Sequence, residues 1–248
     1  MSVGVGGSWI GPNAAKALSM AKRNIVLIVG ASRGLGLALA EEYCARDFHV
    51  IATVRSPSAA LDRIAARFPA SLTIETADIT DVRSVEALRQ RLAGRTLDTL
   101  FVNAGICLAR DDTPKDVREQ EFLAMMLTNA LSPMRVVELF EHQVSRNGVI
   151  AVMSSELGSI AHNPGAWELY SSSKAALNML MACFSKRYAG DSRALLLVAP
   201  GWVRTEMGTD AAALSIEESI PHVVAAVEAQ AGRPGLRFID RHGKTLPW

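Results

Sequence analysis

The sequence predicts an α/β protein built on a doubly wound parallel sheet of about seven strands, with helices on both faces. Two patterns predict it. Short β-rich runs alternate with helical ones along nearly the whole chain. The β-rich runs are also near-continuously apolar, as in strands covered on both sides. A third observation points to where a ligand would sit. The strand ends carry Gly30, Arg55, Asp78, Asn103-Ala104-Gly105, Ser154-Ser155 and Pro200-Gly201. Sheets of this kind bind ligands beyond the carboxyl ends of their strands.

Each element has its own signal. "NIVLIVGAS" (Asn24–Ser32) reads as the first strand, with "LGLALAEEYCARD" as the helix behind it. "HVIATVR" (His49–Arg55) is the second strand and "SAALDRIAARF" the second helix. "SLTIETAD" (Ser71–Asp78) leads into a third helix, with Asp81 as N-cap and Gly94 as C-cap. "TLFVNAG" (Thr99–Gly105) precedes a long helical stretch from about Pro114 to His142. "VIAVMSS" (Val149–Ser155) precedes a loop and the helix that begins near Tyr170. "ALLLVAPG" (Ala194–Gly201) precedes a variable segment and a helix near Ser215–Ala231; "LRFID" (Leu236–Asp240) is the last strand. Without a linker or repeat, residues 24–248 read as one domain behind a Gly/Ser/Ala-rich leader, residues 1–23, in which Met20 is an alternative start.

Composition excludes several classes. The 248 residues are 49% hydrophobic and 21% charged, with 26 basic and 25 acidic side chains for a net charge of +1. That balance gives no footprint for nucleic acid. No apolar run approaches the ~18–20 residues needed to span a bilayer. Cys44, Cys107 and Cys183 are widely spaced, without a CxxC, and read as thiols in a reducing compartment. The expected location is cytoplasmic. The histidines show no metal-ligand spacing, so no metal is expected.

"VGASRGLG" places Gly30, Gly34 and Gly36 between the first strand and its helix. Glycines allow a tight turn and close approach of a pyrophosphate, and the helix N-terminus offers N–H groups and a positive dipole end. The second strand ends at Val54-Arg55 where NAD-binding sheets usually carry an acid for the ribose 2′-hydroxyl. Arg55, with Arg33 in the glycine loop, instead suits a 2′-phosphate. The expectation is NADP(H), with NAD(H) possible. Asp78 is placed either to meet the adenine amino group or to serve as a turn or cap aspartate.

Tyr170 and Lys174 lie one turn apart on a predicted helix, on the same face. An ammonium near a phenol favours the phenolate and lowers its pKa, which suits a general acid/base acting on a carbonyl or alcohol.

Taken together, the glycine motif, "VNAG" (Val102–Gly105), Asn129 in "LTNALSP", Ser155 in "MSSELG", "YSSSK" (Tyr170–Lys174) and "PGWVRT" (Pro200–Thr205) resemble the classical short-chain dehydrogenase/reductase family. The match runs from about Asn24 to the C-terminus. The ending "GWVRTEMG…GLRFIDRHGKTLPW" resembles the branch containing insect sniffer-type carbonyl reductases and the bacterial C-factor. The resemblance implies a Rossmann fold and an oxidoreductase of the carbonyl reductase or alcohol dehydrogenase type. Tyr170 would be the general acid/base, and Lys174 would also hold the nicotinamide ribose. Ser155 would bind the substrate oxygen, with Ser154 or Ser159 as alternatives. Asn129 would hold a relay water. The cofactor set would comprise Gly30, Ser32, Arg33, Gly34, Leu35, Gly36, Arg55, Asp78, Ile79, Asn103, Ala104, Gly105, Tyr170, Lys174, Pro200, Gly201, Val203 and Thr205.

One departure stands out. The Ser155-to-Tyr170 spacing is about two residues longer than the usual family pattern, so the loop between them should bulge at the pocket. Glu156, His162, Trp167 and Met207 lie in loops expected near that pocket, either shaping substrate choice or simply packing. The partner is a small carbonyl or alcohol, and the helices after strands four and five suit a homodimer or homotetramer. The competing reading is a C-factor-like NAD(P)-binding signalling or redox-sensing protein.

Overall fold

A computed structural model describes residues 23–248; the leader through residue 22, with Met20, lies outside the described residues. Arg23 is tied to the sheet region, pairing with Asp47 at 2.9 Å and donating to Ser71 Oγ at 3.1 Å.

Seven strands form one parallel sheet: β1 (Ile25–Val29), β2 (His49–Val54), β3 (Leu72–Thr76), β4 (Leu97–Val102), β5 (Val144–Met153), β6 (Ala194–Ala199) and β7 (Gly235–Asp240). Their order is β3-β2-β1-β4-β5-β6-β7. The register runs Val26 to Val50 on one side of β1 and Val26 to Thr99 on the other. The helices are α1 (Gly34–Ala45), α2 (Ala59–Arg67), α3 (Val82–Arg91), α4 (Glu119–Met126), α5 (Ser132–Phe140), α6 (Glu168–Arg187) and α7 (Ile216–Glu228).

The apolar strand runs divide by alternation. Val26 and Ile28 face a core shared with Leu39, Leu61, Val223 and Val224 of α1, α2 and α7. Leu27 and Val29 face the opposite core, shared with Val85, Val137, Leu177 and Phe184 of α3, α5 and α6. Both faces are therefore covered, which is why the strands show no polar side.

Caps fix several helix starts. Ser58 Oγ accepts from Leu61 N, Asp81 Oδ1 accepts from Arg83 N, and Ser215 with Glu218 forms a reciprocal capping box. Gly94 lies beyond the C-cap residue, Leu92, with a φ of +80°. The long helix expected over 114–142 is shorter and broken. Residues 113–117 close a turn in which Asp116 N and Val117 N donate to Thr113 O, so α4 begins at Glu119. A π-turn at Leu127–Leu131 then separates α4 from α5, and β5 begins at Val144, ahead of the expected Val149.

Candidate active site

The glycine loop is set by contacts that leave no room for side chains. A Cβ on Gly30, whose φ is +91°, would fall 2.7 Å from Ala104 Cβ; one on Gly36 would fall 2.0 Å from Gly30 O and 2.5 Å from Asn103 Nδ2. Asn103 Nδ2 donates to Gly30 O at 2.8 Å, and the backbone N–H groups of Asn103 and Ala104 both donate to Val29 O. The "VNAG" segment thus clamps the glycine loop onto β1. Thr53, which carried no sequence signal, completes the clamp by accepting from Gly30 N at 3.0 Å. Above the loop, Gly34 has only Thr205 Cγ2 near it, at 3.8 Å.

Helix α1 starts at this loop with no side-chain cap and no acid in its first turn. The next two helices, α2 and α3, by contrast have a capping side chain. Exposed N–H groups, a positive dipole end and an open glycine backbone form a cradle of the kind that holds a pyrophosphate. Ser32 and Leu35 flank it, and Ser32 O accepts from Ser58 Oγ.

The two arginines expected at a 2′-phosphate are both exposed. Arg33 forms a 2.5 Å ion pair with Glu206, linking the glycine loop to the segment after β6. Arg55 lies near enough to Asp78 to help hold that carboxyl below its usual range. Burial opposes this, and the two Thr80 hydrogen bonds to Asp78 Oδ1 favour it. Asp78 is therefore a turn aspartate through Oδ1, while Oδ2 accepts nothing among the described residues. Ile79 beside it is buried.

After β6, Pro200 O accepts from the buried Ser219 hydroxyl at 2.7 Å. Gly201 takes a φ of +83°, where a Cβ would strike Leu214 Cδ1 at 2.6 Å. Val203 bridges to Leu214, and Thr205 Oγ1 accepts from Gly208 N at 3.0 Å. This segment hangs over the carboxyl edge beside the glycine loop.

Tyr170 and Lys174 are both buried on α6. Lys174 Nζ lies 5.7 Å from the centre of the Tyr170 ring and donates to Met153 O, at the end of β5, at 2.9 Å. Burial pulls Lys174 down to about 8. The expected lowering of the Tyr170 pKa is not what the geometry gives. Burial raises it well above the ordinary phenol value, the nearby Cys107 adds to the rise, and the neighbouring Ser155 hydroxyl opposes both. In a pocket this dry the cost of a phenolate exceeds the help from its neighbours.

The three candidate serines separate cleanly. Ser154 is buried and donates to Asn178 Oδ1 at 2.7 Å; Ser159 Oγ lies 3.4 Å from Trp248 O and accepts from His162 N. Ser155 is the one whose hydroxyl lies near enough to Tyr170 to favour its phenolate, while also accepting from Leu157 N at 3.2 Å. Asn129 sits in the π-turn, fully buried. Its Nδ2 donates to Ile106 O and Ser173 Oγ, and its Oδ1 accepts from Ile106 N at 2.8 Å. Gly105 lies between it and Lys174: a Cβ there would be 3.3 Å from Asn129 Oδ1 and 3.6 Å from Lys174 Nζ.

The longer loop after Ser155 bulges outward. Residues 160–166 are exposed, and Ala161 N donates to Trp248 O. Glu156 and His162 line a cavity of about 400 Å³ with Leu246 and Pro247. Trp167 and Met207 instead pack around Tyr170 with Cys107, Leu108 and Leu157. Sequence reasoning missed Cys107, Arg110 and Trp202 in this wall. Arg110 stacks over Trp167 at 4.8 Å, and Trp202 meets Trp167 edge-on at 6.5 Å.

A glycine-rich helix start and a Ser-Tyr-Lys cluster thus share one edge of a doubly wound sheet, which defines a Rossmann-type protein. A family model described as short chain dehydrogenase matches residues 24–214. The chain belongs to the short-chain dehydrogenase/reductase family of oxidoreductases. A short-chain dehydrogenase/reductase from Burkholderia multivorans with bound NADP is 48% identical, with a TM-score of 0.89 over 91% of this chain and 100% of that one. A carbonyl reductase from Pseudomonas aeruginosa PAO1 in complex with NADP is 40% identical, with a TM-score of 0.86 over 92% of this chain and 100% of that one. The carbonyl reductase Sniffer of D. melanogaster is 27% identical, with a TM-score of 0.80 over 91% of this chain and 100% of that one. The C-signal of Myxococcus xanthus is 30% identical over 61% of this chain and 93% of its own length.

Proposed function

We propose that this protein is an NADP(H)-dependent carbonyl reductase that works on a ketone or aldehyde. The observation that carries the reading is the buried Tyr170 phenol, near the Ser155 hydroxyl and one helical turn from Lys174, beside an uncapped glycine-rich helix start. The NADP-bound relatives from Burkholderia multivorans and Pseudomonas aeruginosa support the cofactor.

The residues fit such a cofactor. The bare glycine backbone and the α1 N–H groups would take the pyrophosphate, Asp78 Oδ2 the adenine, Arg55 and Arg33 the 2′-phosphate, and Lys174 the nicotinamide ribose. When bound, the nicotinamide supplies the hydride. The chain's own part is orientation and proton delivery. Ser155 and Tyr170 hold the carbonyl oxygen between two hydroxyl donors, where negative charge develops. Burial keeps Tyr170 protonated, so it acts as the acid that gives that oxygen its proton. Lys174, at about 8, exchanges protons near neutrality and restores the phenol. Asn129 fixes the Gly105-Ile106 backbone against Lys174, which keeps this route narrow.

Residues 24–248 form one catalytic domain in this reading. Exposed Leu123, Leu131, Met179 and Leu180 on α4, α6 and the π-turn suit a homodimer or homotetramer in the cytoplasm. Among the described residues, no helix is long and apolar enough to cross a membrane.

The test is NADPH consumption against a carbonyl panel, repeated with NADH, for the natural protein, Tyr170→Phe and Arg55→Ala. NADPH-dependent turnover that vanishes in Tyr170→Phe is expected, with Arg55→Ala weakening NADPH but not NADH. Equal use of both cofactors refutes the arginine argument. The C-signal likeness favours one rival, a signalling or redox-sensing protein; tight NADPH binding with no turnover across the panel would select it.

A further inference from the structure

Arg110 differs from two half-buried arginines that are closed by carboxylates. Arg193 is closed by Glu141 and Asp191, and Arg46 by Glu42 and Glu228. Arg110 forms no ion pair among the described residues, although Asp111 and Asp112 follow it directly. Its Nη2 donates to Met207 O at 2.7 Å, its guanidinium covers the Trp167 ring at 4.8 Å, and it lies near enough to the Cys107 thiol to favour the thiolate. Its Nε–H is buried with no acceptor at all. An unsatisfied buried donor on a permanent cation is uncommon and calls for an explanation.

The position supplies one. Trp167 lies between Arg110 and the catalytic tyrosine, 5.9 Å from the Tyr170 ring. Cys107 is close enough to influence Tyr170, Lys174 and the guanidinium together. Arg110 therefore stands one aromatic ring from the reacting oxygen. Glu206 pairs with Arg33, and Glu156 lines the cavity beside the C-terminal Leu-Pro; Asp111 is near enough to act on Cys107 but forms no ion pair with Arg110. The substrate wall around Trp167 is thus largely apolar and aromatic, and Arg110 stands in it with no carboxylate in ion-pair contact.

We propose that Arg110 determines specificity by binding a carboxylate on the substrate, so that the preferred substrates are oxo acids, with the carboxylate separated from the reacting carbonyl by about the length of one ring. A carboxylate that displaces the Met207 carbonyl would take Nε–H and Nη2–H as a two-bond fork, the pairing that a guanidinium makes best. The reacting carbonyl would then reach Ser155 and Tyr170 across Trp167. This assignment rests on the carbonyl reductase reading above.

The experiment separates the two. Calorimetric titration of the protein saturated with NADPH uses 4-(hydroxymethyl)benzoate and its uncharged analogue 4-(hydroxymethyl)benzamide, alcohols that NADPH cannot turn over. The acid should bind about 10- to 100-fold more tightly than the amide, the range of a charged hydrogen-bonded pair. Arg110→Met should erase that preference, and Arg110→Lys should restore part of it, with thermal melts confirming that both variants fold. The corresponding aldehydes should show the same order in kcat/KM. Equal affinity for acid and amide, no detectable binding of either, or a preference that survives Arg110→Met overturns the assignment. Acid binding through Arg110 without turnover of either aldehyde, with NADPH or NADH, supports the anion site and refutes the reductase reading.

Discussion

Replacing Lys174 with methionine should stabilise the protein while abolishing turnover. Burial holds the Lys174 ammonium at about 8, against an ordinary 10.5. Between those values the unfolded chain binds more protons than the folded one. Folding stability therefore rises with pH through that window, and the full penalty is present below about 8. The gap corresponds to about 3 kcal/mol at ~1.4 kcal/mol per pKa unit. Methionine removes that penalty but leaves Met153 O without its partner, which costs about 1–2 kcal/mol. Lys174→Met should thus be more stable than the natural protein by about 1–2 kcal/mol at pH 7, raising Tm by roughly 2–8 °C in a chain of this size. At pH 9.5 the folded lysine is largely neutral, and the natural protein should recover about 2 kcal/mol relative to the variant. Urea unfolding at both pH values, followed by circular dichroism under reducing conditions, measures the difference. A variant less stable at pH 7, or a stability gap that does not move with pH, would refute the reasoning.

Other substitutions test the frame around the site. Gly36→Ala should lower stability by about 1–3 kcal/mol, because its Cβ would overlap Gly30 O and Asn103 Nδ2; the helix-propensity gain of about 1 kcal/mol cannot offset a backbone clash. Thermal melts and NADPH titration should both register it. Ser154→Ala and Ser155→Ala should separate stability from catalysis. The first loses the buried bond to Asn178 and about 1–2 kcal/mol of unfolding free energy, with turnover largely kept. The second should lose turnover by about 10²-fold or more with little change in Tm; the reverse pattern would move the catalytic hydroxyl to Ser154.

The strands were legible because each is a short apolar run closed by glycine or polar residues, and their positions match within a few residues except at β5. There the first residues, from Val144, are too polar to announce a strand. The π-turn at Asn129 was not legible: Leu127–Leu131 has ordinary helical composition, and the widened turn depends on Asn129 reaching across to Ile106. Tyr170 and Lys174 were readable from their spacing. The direction of the Tyr170 shift was not, because it depends on how dry the pocket is, and burial is set by Trp167 and Leu157 from the loop after β5 and Met207 from the segment after β6. Arg110 was invisible for the same reason: nothing in its neighbours announces that the loop after β4 turns it onto Trp167.

The sheet order has a consequence for how the chain is made. The central strand β1 pairs with β2 soon after both emerge, but its other edge waits for β4, where Val26 meets Thr99. At ~5–20 residues per second, several seconds of synthesis separate those two partners. During that interval the edge of Ile25–Val29, among the most apolar segments of the protein, stays unpaired and open to any other strand. The nascent N-terminal half is thus the aggregation-prone stage of this fold, and Leu97–Val102 is the segment whose arrival ends it.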